Sequence, residues 1–431
     1  MTRHDHDHDH EDALARALHQ KVDGLHESPL GLDDVRGHAG TLQHRRRTAI
    51  GAGIAAALVI VVPTAIAATG GLDRAEDDLP LATASPTVTE ATESGPTESP
   101  APSPSSTDSA GPATTPFDVS DLPTGAPPGI EWSEGRDVHR ADGTVVAGVL
   151  PDGADGLAPM GAGWVVTTRD DQGGVYAQWI PASGVGTAQV YELDGDLATS
   201  PDGEVVAWSE PAGGVRIIQR DGDEVVEMPA ISAPGAYDAV AVSSEDCKEG
   251  RSTDAGCTVF VNTLGEQAGL WAATSHGFTD RYDEEVQQLT AWSEGGYAGI
   301  TAFNEDLTTC SAVREPDTLS TIWDTCDHRL VAFSPDGGHL LGVGSVGDGF
   351  ADTQAAILDA ADGTVLVDLR SDQKTQTGVL QLAWEDESHA LLVTYADGQW
   401  AVVRLGLDGT MEYAVPPRRG SDFERPFFLQ S

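Results

Sequence analysis

The stretch RLVAFSPDGGHLLGV, Arg329–Val343, has the pattern of a β-hairpin. Two short apolar runs flank the four residues Ser334, Pro335, Asp336 and Gly337. Proline presets φ at the first central position of a turn, aspartate hydrogen-bonds the nearby backbone, and glycine accepts a positive φ. The stretch therefore predicts two antiparallel strands joined by a tight turn.

The same pattern recurs along the chain. Five further segments consist of an apolar run, a polar turn and a second apolar run; they begin at Gly156, Asp196, Tyr237, Gln287 and Leu380. Successive starts among the six are 40, 41, 50, 42 and 51 residues apart. Two more strand candidates follow each hairpin, and four strands in about 45 residues is the period of a β-propeller blade.

A second segment repeats the turn motif in full, as Ser200, Pro201, Asp202 and Gly203. The two S-P-D-G hairpins resemble the WD40-like repeats of TolB-type propellers. The resemblance covers the chain from about Gly129 to its end and implies a fold. It implies no particular chemistry, because propellers host unrelated functions.

The two ends of this region predict how the propeller closes. The C-terminal run PFFLQ, Pro426–Gln430, reads as a lone strand, and Ile130–Val149 supplies two or three more. Pairing them would form a composite blade and leave no open edge. We therefore predict an all-β fold over residues 125–431, a propeller of seven blades, with six as the alternative.

An uncharged run of 21 residues, Thr48–Ala68, precedes this domain. As an α-helix it would span about 31 Å, close to the hydrocarbon thickness of a bilayer. Arg45, Arg46 and Arg47 stand directly before it, and the positive-inside rule places such a flank in the cytoplasm. The sequence predicts a single transmembrane helix over residues 48–70, with the propeller on the far side of the cell membrane.

The alternative is a signal peptide cleaved after Ala67, since Ala65-Ile66-Ala67 has the A-x-A form. Secretory apolar cores usually have about 7 to 15 residues, and this run is longer. A tail of 47 residues also precedes it, so we favour a retained anchor. The tail, residues 1–47, is predicted to be mostly disordered, with a short amphipathic helix.

Residues 71–124 are rich in proline, serine, threonine and acid, which predicts a disordered stalk. The whole chain has 24 basic and 69 acidic residues, a net charge of −45. From Asp121 onward the balance is 16 basic against 51 acidic, or −35. Such a field repels phosphate backbones, so nucleic acid is excluded as a partner.

The four cysteines all lie in the predicted outer domain, where an even number indicates disulfides. Three pairings are possible, and proximity favours Cys247 with Cys257 and Cys310 with Cys326. The second pair brackets a turn signal at Glu315–Thr318, so its cysteines would face each other across a hairpin.

No catalytic, cofactor-binding or metal-binding motif emerges from the sequence: a P-loop, a dinucleotide fingerprint, G-x-S-x-G and H-E-x-x-H are all absent. The aspartate-rich runs Asp152–Gly156 and Asp194–Asp196 are interpreted as turns. The tryptophans lie mostly inside apolar runs and are expected to pack between blades.

These observations predict a membrane-anchored binding or scaffolding module at the cell surface, with an envelope protein, a peptide or a glycan as its ligand. One alternative is a transmembrane sensor whose tail holds a cytoplasmic regulator, as in anti-sigma factors, although the tail lacks the cysteines of a zinc motif. Another is a propeller enzyme acting on cell-wall polysaccharide or peptide, which would require carboxylates or a histidine converging at the central funnel.

Overall fold

The computed structural model describes residues 114–430 except 171, 185–188, 212, 222–223, 229, 234, 244–246, 248–255, 266–267, 276, 278, 347–350, 373–375 and 423. The described residues form 29 strands and no α-helix. None of them belongs to a helix that could cross a bilayer. The predicted tail, the three arginines Arg45 to Arg47, the membrane helix (48–70) and the stalk as far as residue 113 lie outside the described residues.

The strands assemble into six sheets, five of four or five strands and one of eight. The eight-stranded sheet contains β5 (Ala154–Met160), β6 (Gly163–Arg169), β7 (Val175–Pro181), β8 (Val190–Thr199), β9 (Val205–Glu210), β10 (Gly214–Asp221), β11 (Glu224–Glu227) and β12 (Ile231–Ser232). Two four-stranded sheets follow, made of β13 (Ala236–Val242), β14 (Thr258–Thr263), β15 (Gly269–Thr274) and β16 (Thr279–Asp283), and of β17 (Gln288–Ser293), β18 (Gly296–Phe303), β19 (Thr309–Arg314) and β20 (Thr321–Thr325).

The next sheet contains β21 (His328–Phe333), β22 (His339–Gly344), β23 (Gln354–Asp359) and β24 (Val365–Arg370), with β1 (Thr115–Pro116) at its outer edge. It is followed by β25 (Gly378–Trp384), β26 (His389–Ala396), β27 (Gln399–Gly406) and β28 (Met411–Arg419). The last sheet has the order β29-β2-β3-β4 and combines β2 (Trp132–Glu134), β3 (Asp137–His139) and β4 (Val145–Val146) with β29 (Phe427–Leu429).

The strands nearest the start of each repeat surround a common axis. Contacts between them run from β5 to β8, β13, β17, β21, β25 and β29, and then back to β5. The other strands of each repeat follow outward in sequence order. A closed ring of inner strands with sheets radiating from it is a β-propeller, which confirms the prediction of an all-β propeller.

Strand β8 belongs to two repeats at once. Its first part pairs with β7, where Val190 lies opposite Gln178, and its second part pairs with β9, where Ala198 lies opposite Ala207. Between the two parts Gly195 has a φ of 74°, a conformation that glycine adopts at no steric cost. The kink at Gly195 thus ends the outer strand of one repeat and begins the inner strand of the next.

The predicted closing blade is confirmed. Strand β29 pairs antiparallel with β2, with Trp132 opposite Leu429. Phe427 and Leu429 are completely buried. Because the two ends of the domain share one sheet, opening the ring would expose this apolar contact to water.

A short N-terminal arm, Thr115–Gly125, precedes the closing blade. Thr115 lies opposite Leu369 in parallel pairing, and the side chain of Phe117 is fully buried in the core between the sheets of β21–β24 and β25–β28. The Tyr413 hydroxyl donates to the carbonyl oxygen of Val119. The last ten residues of the predicted stalk (71–124) are therefore part of the propeller, because their apolar side chains find partners in a groove between two sheets.

Candidate functional site at the axis

Both predicted disulfides are present. Cys247 and Cys257, which both lie between β13 and β14 in the sequence, are bonded with a Cα–Cα distance of 4.6 Å, and both are buried. Cys310 and Cys326 bond across the β19–β20 hairpin with a Cα–Cα distance of 4.0 Å. No cysteine is free, so the cysteines staple two successive sheets and supply no nucleophile.

The two S-P-D-G motifs form identical turns at the β8–β9 and β21–β22 hairpins. In the first, Ser200 Oγ donates to Asp202 Oδ1 at 2.6 Å, and the Gly203 amide donates to the Ser200 carbonyl at 2.9 Å. In the second, the matching distances are 2.6 Å from Ser334 to Asp336 and 2.8 Å from the Gly337 amide. Pro201 and Pro335 occupy the second turn position. The polar groups of each motif are used within its own turn.

The opposite end of the axis has a different character. The inner strands begin there, and charged side chains occupy their first residues: Asp155 on β5, Asp196 after the kink in β8, and Asp238 on β13. Arg425 stands two residues before β29, and Arg169 ends β6. We call these five residues the axial cluster.

Two arginines hold the β5 side of the axial cluster. Arg169 binds the Asp155 carboxylate, with its Nε 3.1 Å and its Nη2 3.0 Å from Oδ2. Arg425 Nη2 donates to the Asp155 carbonyl oxygen at 3.0 Å, and its guanidinium carbon lies 4.2 Å from the centre of the Phe428 ring. Asp155 is thus fixed by a charge-assisted pair, while Arg425 spans from the closing blade to the neighbouring repeat.

Asp196 and Asp238 meet where two repeats adjoin. The backbone amide of Asp196 donates to Asp238 Oδ1 at 3.0 Å. A Cβ at Gly195 would lie 2.5 Å from the Tyr237 carbonyl oxygen and 2.6 Å from Asp238 Oδ1. Only glycine permits this close approach, so Gly195 sets the distance between the two aspartates.

The polar contacts continue around the ring from Asp238. Gln288 on β17 donates through Nε2 to the Tyr237 hydroxyl at 2.5 Å. Asn262 bridges to the same strand, donating to the Leu289 carbonyl at 3.0 Å and accepting from its amide at 2.8 Å. Hydroxyl, amide and carboxyl groups therefore link three successive repeats at one end of the axis.

The surroundings shift the protonation of the axial cluster. Burial raises the pKa of Asp196, and the Asp155 carboxylate raises it further, against the opposing effect of Arg425 and Arg169. Burial, and then the charge of Asp196, raise the pKa of Asp238 to about 7. Burial lowers the pKa of Arg425 to about 10, although Asp155 and Asp196 oppose the change.

The Asp196 side chain is nevertheless exposed to water. A ligand in water can therefore reach this carboxyl, although the surrounding protein disfavours its charge. Asp238 is half-buried beside it, and with its pKa raised to about 7 its carboxyl can donate as well as accept a hydrogen bond. Among the described residues, no three His, Cys, Asp or Glu side chains are grouped closely enough to hold a metal ion.

The turn interpretation of the aspartate-rich runs was wrong for two residues. Asp155 lies within β5 and Asp196 within β8, and both belong to the axial cluster. The position of these aspartates in the repeat could have indicated their role. A carboxylate stands within one residue of the repeat starts at Gly156, Asp196 and Tyr237. The tryptophan interpretation fits Trp164, Trp208 and Trp400, which are completely buried.

The end with the S-P-D-G turns has a shallow depression of about 400 Å³, lined by Pro335, Glu385, Asp386, Glu387 and Ser388. Its polar groups belong mainly to one turn, in which Asp386 accepts from the Ser388 amide at 2.7 Å and from the His389 amide at 2.9 Å. The depression is therefore an open surface formed by one turn beside another, unlike the axial cluster, which joins several repeats.

No protein-family model matches the chain, and no curated protein matches its sequence. Solved structures similar to it include the β-propeller domain of the Trilobed protease from Pyrococcus furiosus, at 12% identity over 61% of this chain and 84% of that chain, with a TM-score of 0.39. BamB from Moraxella catarrhalis is similar at 13% identity over 60% and 70% (TM-score 0.34), and a putative TolB from Agrobacterium tumefaciens at 13% over 57% and 92% (TM-score 0.35). Similarities at this level carry no information on ligand or activity.

Proposed function

We propose that this protein is a membrane-anchored extracytoplasmic propeller that binds an envelope peptide or glycan at the axial cluster. The observation that carries the proposal is the contact between Asp196, which is exposed to water, and Asp238, with the pKa of both carboxyls raised. A few convergent polar groups fix the orientation of a ligand in many binding sites. Hydroxyl and amide groups, which both donate and accept hydrogen bonds, suit this mixture of donors and acceptors.

The proposed architecture has seven blades. The kink at Gly195 divides the eight-stranded sheet into two groups, β5 to the first part of β8 and the second part of β8 to β12. These two groups and the other five sheets make seven blades. Each group then contributes one inner strand to the ring around the axis.

The proposed anchor is the uncharged run Thr48–Ala68, and the three arginines Arg45 to Arg47 directly before it support a cytoplasmic N-terminus. Alkaline carbonate extraction of native membranes tests it, because an integral protein stays in the pellet. Protease added to intact spheroplasts should remove the propeller and leave the tail. Recovery of a soluble chain that begins after Ala67 would instead establish cleavage.

The binding proposal is tested with the full chain in lipid nanodiscs and soluble cell-wall fragments that carry both glycan and stem peptide. We expect retention of these fragments, and up to about tenfold weaker retention by Asp238→Asn, since an ordinary hydrogen bond contributes about 0.5–1.5 kcal/mol. Glu387→Gln, at the opposite end of the axis, is the matched control. Equal retention by all three proteins would contradict the assignment of the site.

One observation favours a second candidate, an enzyme acting on cell-wall polysaccharide or peptide. Two neighbouring carboxyls with raised pKa values can divide the roles of proton donor and proton acceptor in the addition of water to a glycosidic or peptide bond. Mass spectrometry of the same fragments decides between the candidates. New products that disappear with both Asp196→Asn and Asp238→Asn indicate the enzyme, whereas intact fragments indicate binding.

A further inference from the structure

A leucine occupies a turn position that is glycine in three other described hairpins. Three hairpins share a turn in which the aspartate side chain accepts from a threonine amide and the residue between them has a positive φ: Asp142-Gly143-Thr144, Asp362-Gly363-Thr364 and Asp408-Gly409-Thr410. The loop between β18 and β19 has the same turn as Asp306-Leu307-Thr308, with 3.1 Å between the threonine amide and the aspartate. The φ of Leu307 is 69°, against 75° to 83° for the three glycines.

Leucine at this position is unfavourable for the fold. Its Cβ crowds the backbone in the left-handed region, which glycine avoids. Burial does not compensate for the strain, because 56% of Leu307 is exposed to solvent. A strained, exposed and apolar residue in an otherwise regular turn is a reason to look for a partner.

Leu307 lies among other exposed apolar side chains at the same end of the propeller. Phe303 and Val346 are 39% and 54% exposed. The Thr309 amide donates to the Ser345 carbonyl at 3.1 Å, which holds the two loops together. On the preceding sheet, the corresponding loop joins β14 to β15, and Leu264 in this loop is 48% exposed.

These four residues, Leu264, Phe303, Leu307 and Val346, form what we call the loop sector. It extends over three successive repeats, and the described loops of the other repeats have no large exposed apolar residue between their second and third strands. Second strands end where inner strands begin, so the loop sector surrounds part of the same end as the axial cluster. Grouping on one side of the ring distinguishes it from the single exposed apolar residues found on any protein.

Charge defines what could cover this surface. Glu305 and Asp306 directly precede Leu307. Asp327 follows the disulfide-bonded Cys326, whose partner Cys310 has its Sγ 3.6 Å from Asn304 Nδ2. The described residues 303–310, 326–327 and 345–346 contain no lysine or arginine. A second copy of this domain, with its charge of −35, would be repelled.

We propose that the loop sector docks a protein segment that has aliphatic or aromatic anchors flanked by lysine or arginine. The apolar anchors would cover Phe303, Leu307 and Val346, and the basic flanks would face Glu305, Asp306 and Asp327. Interfaces of this kind have an apolar centre and a charged rim that directs the partner. This surface is separate from the axial cluster and extends the proposed function to a second kind of partner.

The first test needs no partner. Leu307→Gly gives this turn the glycine that the other three hairpins have at the same position. The substitution should raise the melting temperature of the full chain by roughly 2 °C. Gly143→Leu is the matched control, since a Cβ there meets no atom within 4 Å, and it should lower the melting temperature. A lower melting temperature for Leu307→Gly would mean that Leu307 stabilises the fold, which would overturn the proposal.

The second test identifies the chemistry of the partner. A random 12-residue peptide library is selected on the full chain in nanodiscs, and enriched peptides are measured by titration. We expect apolar peptides rich in lysine and arginine that bind Leu307→Gly about tenfold more weakly and lose affinity with added salt. Peptides that bind both proteins equally, acidic peptides, or a dimer of the full chain that Leu307→Gly abolishes would each overturn the proposal. Because Asp238→Asn leaves this surface intact, failure here is distinguishable from failure of the axial site.

Discussion

The backbone amide of Asp196 donates to Asp238 Oδ1 at 3.0 Å across the junction of two repeats. Gly195 permits this approach, and the same crowding disfavours negative charge on both carboxyls. One junction between inner strands therefore determines both the spacing and the protonation of these two aspartates. A fold that places charge at such a position has a stability that depends on pH.

Asp238→Asn should stabilise the protein at neutral and alkaline pH. The folded-state pKa of about 7 lies above the ordinary value of 3.8, so the folded protein binds this proton more tightly than the unfolded chain does. Its contribution is fully present below about pH 4 and is lost as pH rises towards 7. We expect the variant to exceed the wild type by on the order of 2 kcal/mol at pH 8 and to match it at pH 4, measured by thermal unfolding.

Asp142→Asn is a control for which we expect the pH dependence of stability to have the opposite sign. The backbone amide and hydroxyl of Thr144 hold the pKa of Asp142 below its usual range. Its contribution is therefore present above about pH 4 and is lost in acid, and the substitution should lower stability slightly at neutral pH. A pH-independent effect of Asp238→Asn would contradict the raised pKa.

Arg314→Ala should be strongly destabilising. Arg314 Nε lies 2.8 Å from Asp283 Oδ2, and the two side chains are 4% and 3% exposed. Removing the arginine leaves a buried carboxylate without its counter-ion, which costs about 3–5 kcal/mol. Arg136→Ala is the comparison, because its 3.5 Å pair with Asp152 is open to solvent and should contribute less than about 1 kcal/mol. Denaturant unfolding of both variants measures the difference, and similar losses would argue against a buried pair.

Phe117→Ala should destabilise the propeller by about 3–5 kcal/mol, the usual cost of emptying a fully buried phenylalanine site. Leu122→Ala, in the same arm but only partly buried, should have a smaller effect. Chemical unfolding of the full chain gives both values. Wild-type stability for Phe117→Ala would mean that the arm does not fasten the two sheets.

The two disulfides should differ in their resistance to reduction under native conditions. Cys326 is exposed, whereas Cys247 and Cys257 are each 1% exposed. A reductant can attack the Cys310–Cys326 bond directly, but it reaches the other bond only after local opening. Alkylation and peptide mass spectrometry at increasing reductant should detect Cys310 and Cys326 first, and the reverse order would contradict these exposures.

Local features of the fold were predictable from the sequence. The S-P-D-G turns, the cysteine pairs and the Pro426–Gln430 strand each depend on residues close together or on the repeat itself, so pattern alone identified them. The arm at Phe117 was missed because proline and serine surround it, and the sequence does not reveal the groove that receives it.

The axial cluster was missed for a different reason. Asp155 and Arg425 are 270 residues apart, and only closure of the ring brings them together. The aspartates also resemble turn residues locally, because aspartate favours turns. Aligning the first residue of every repeat would have revealed the recurring polar position.

Site-specific photocrosslinking of the full chain in intact cells tests the central claim most directly. A photoreactive phenylalanine derivative replaces Tyr237 beside the axial cluster, or Glu387 at the opposite end, and mass spectrometry identifies the adducts. We predict adducts with an envelope peptide or glycan at position 237 and none at position 387. Adducts at position 387 alone, or at neither position, would contradict ligand binding at the axis.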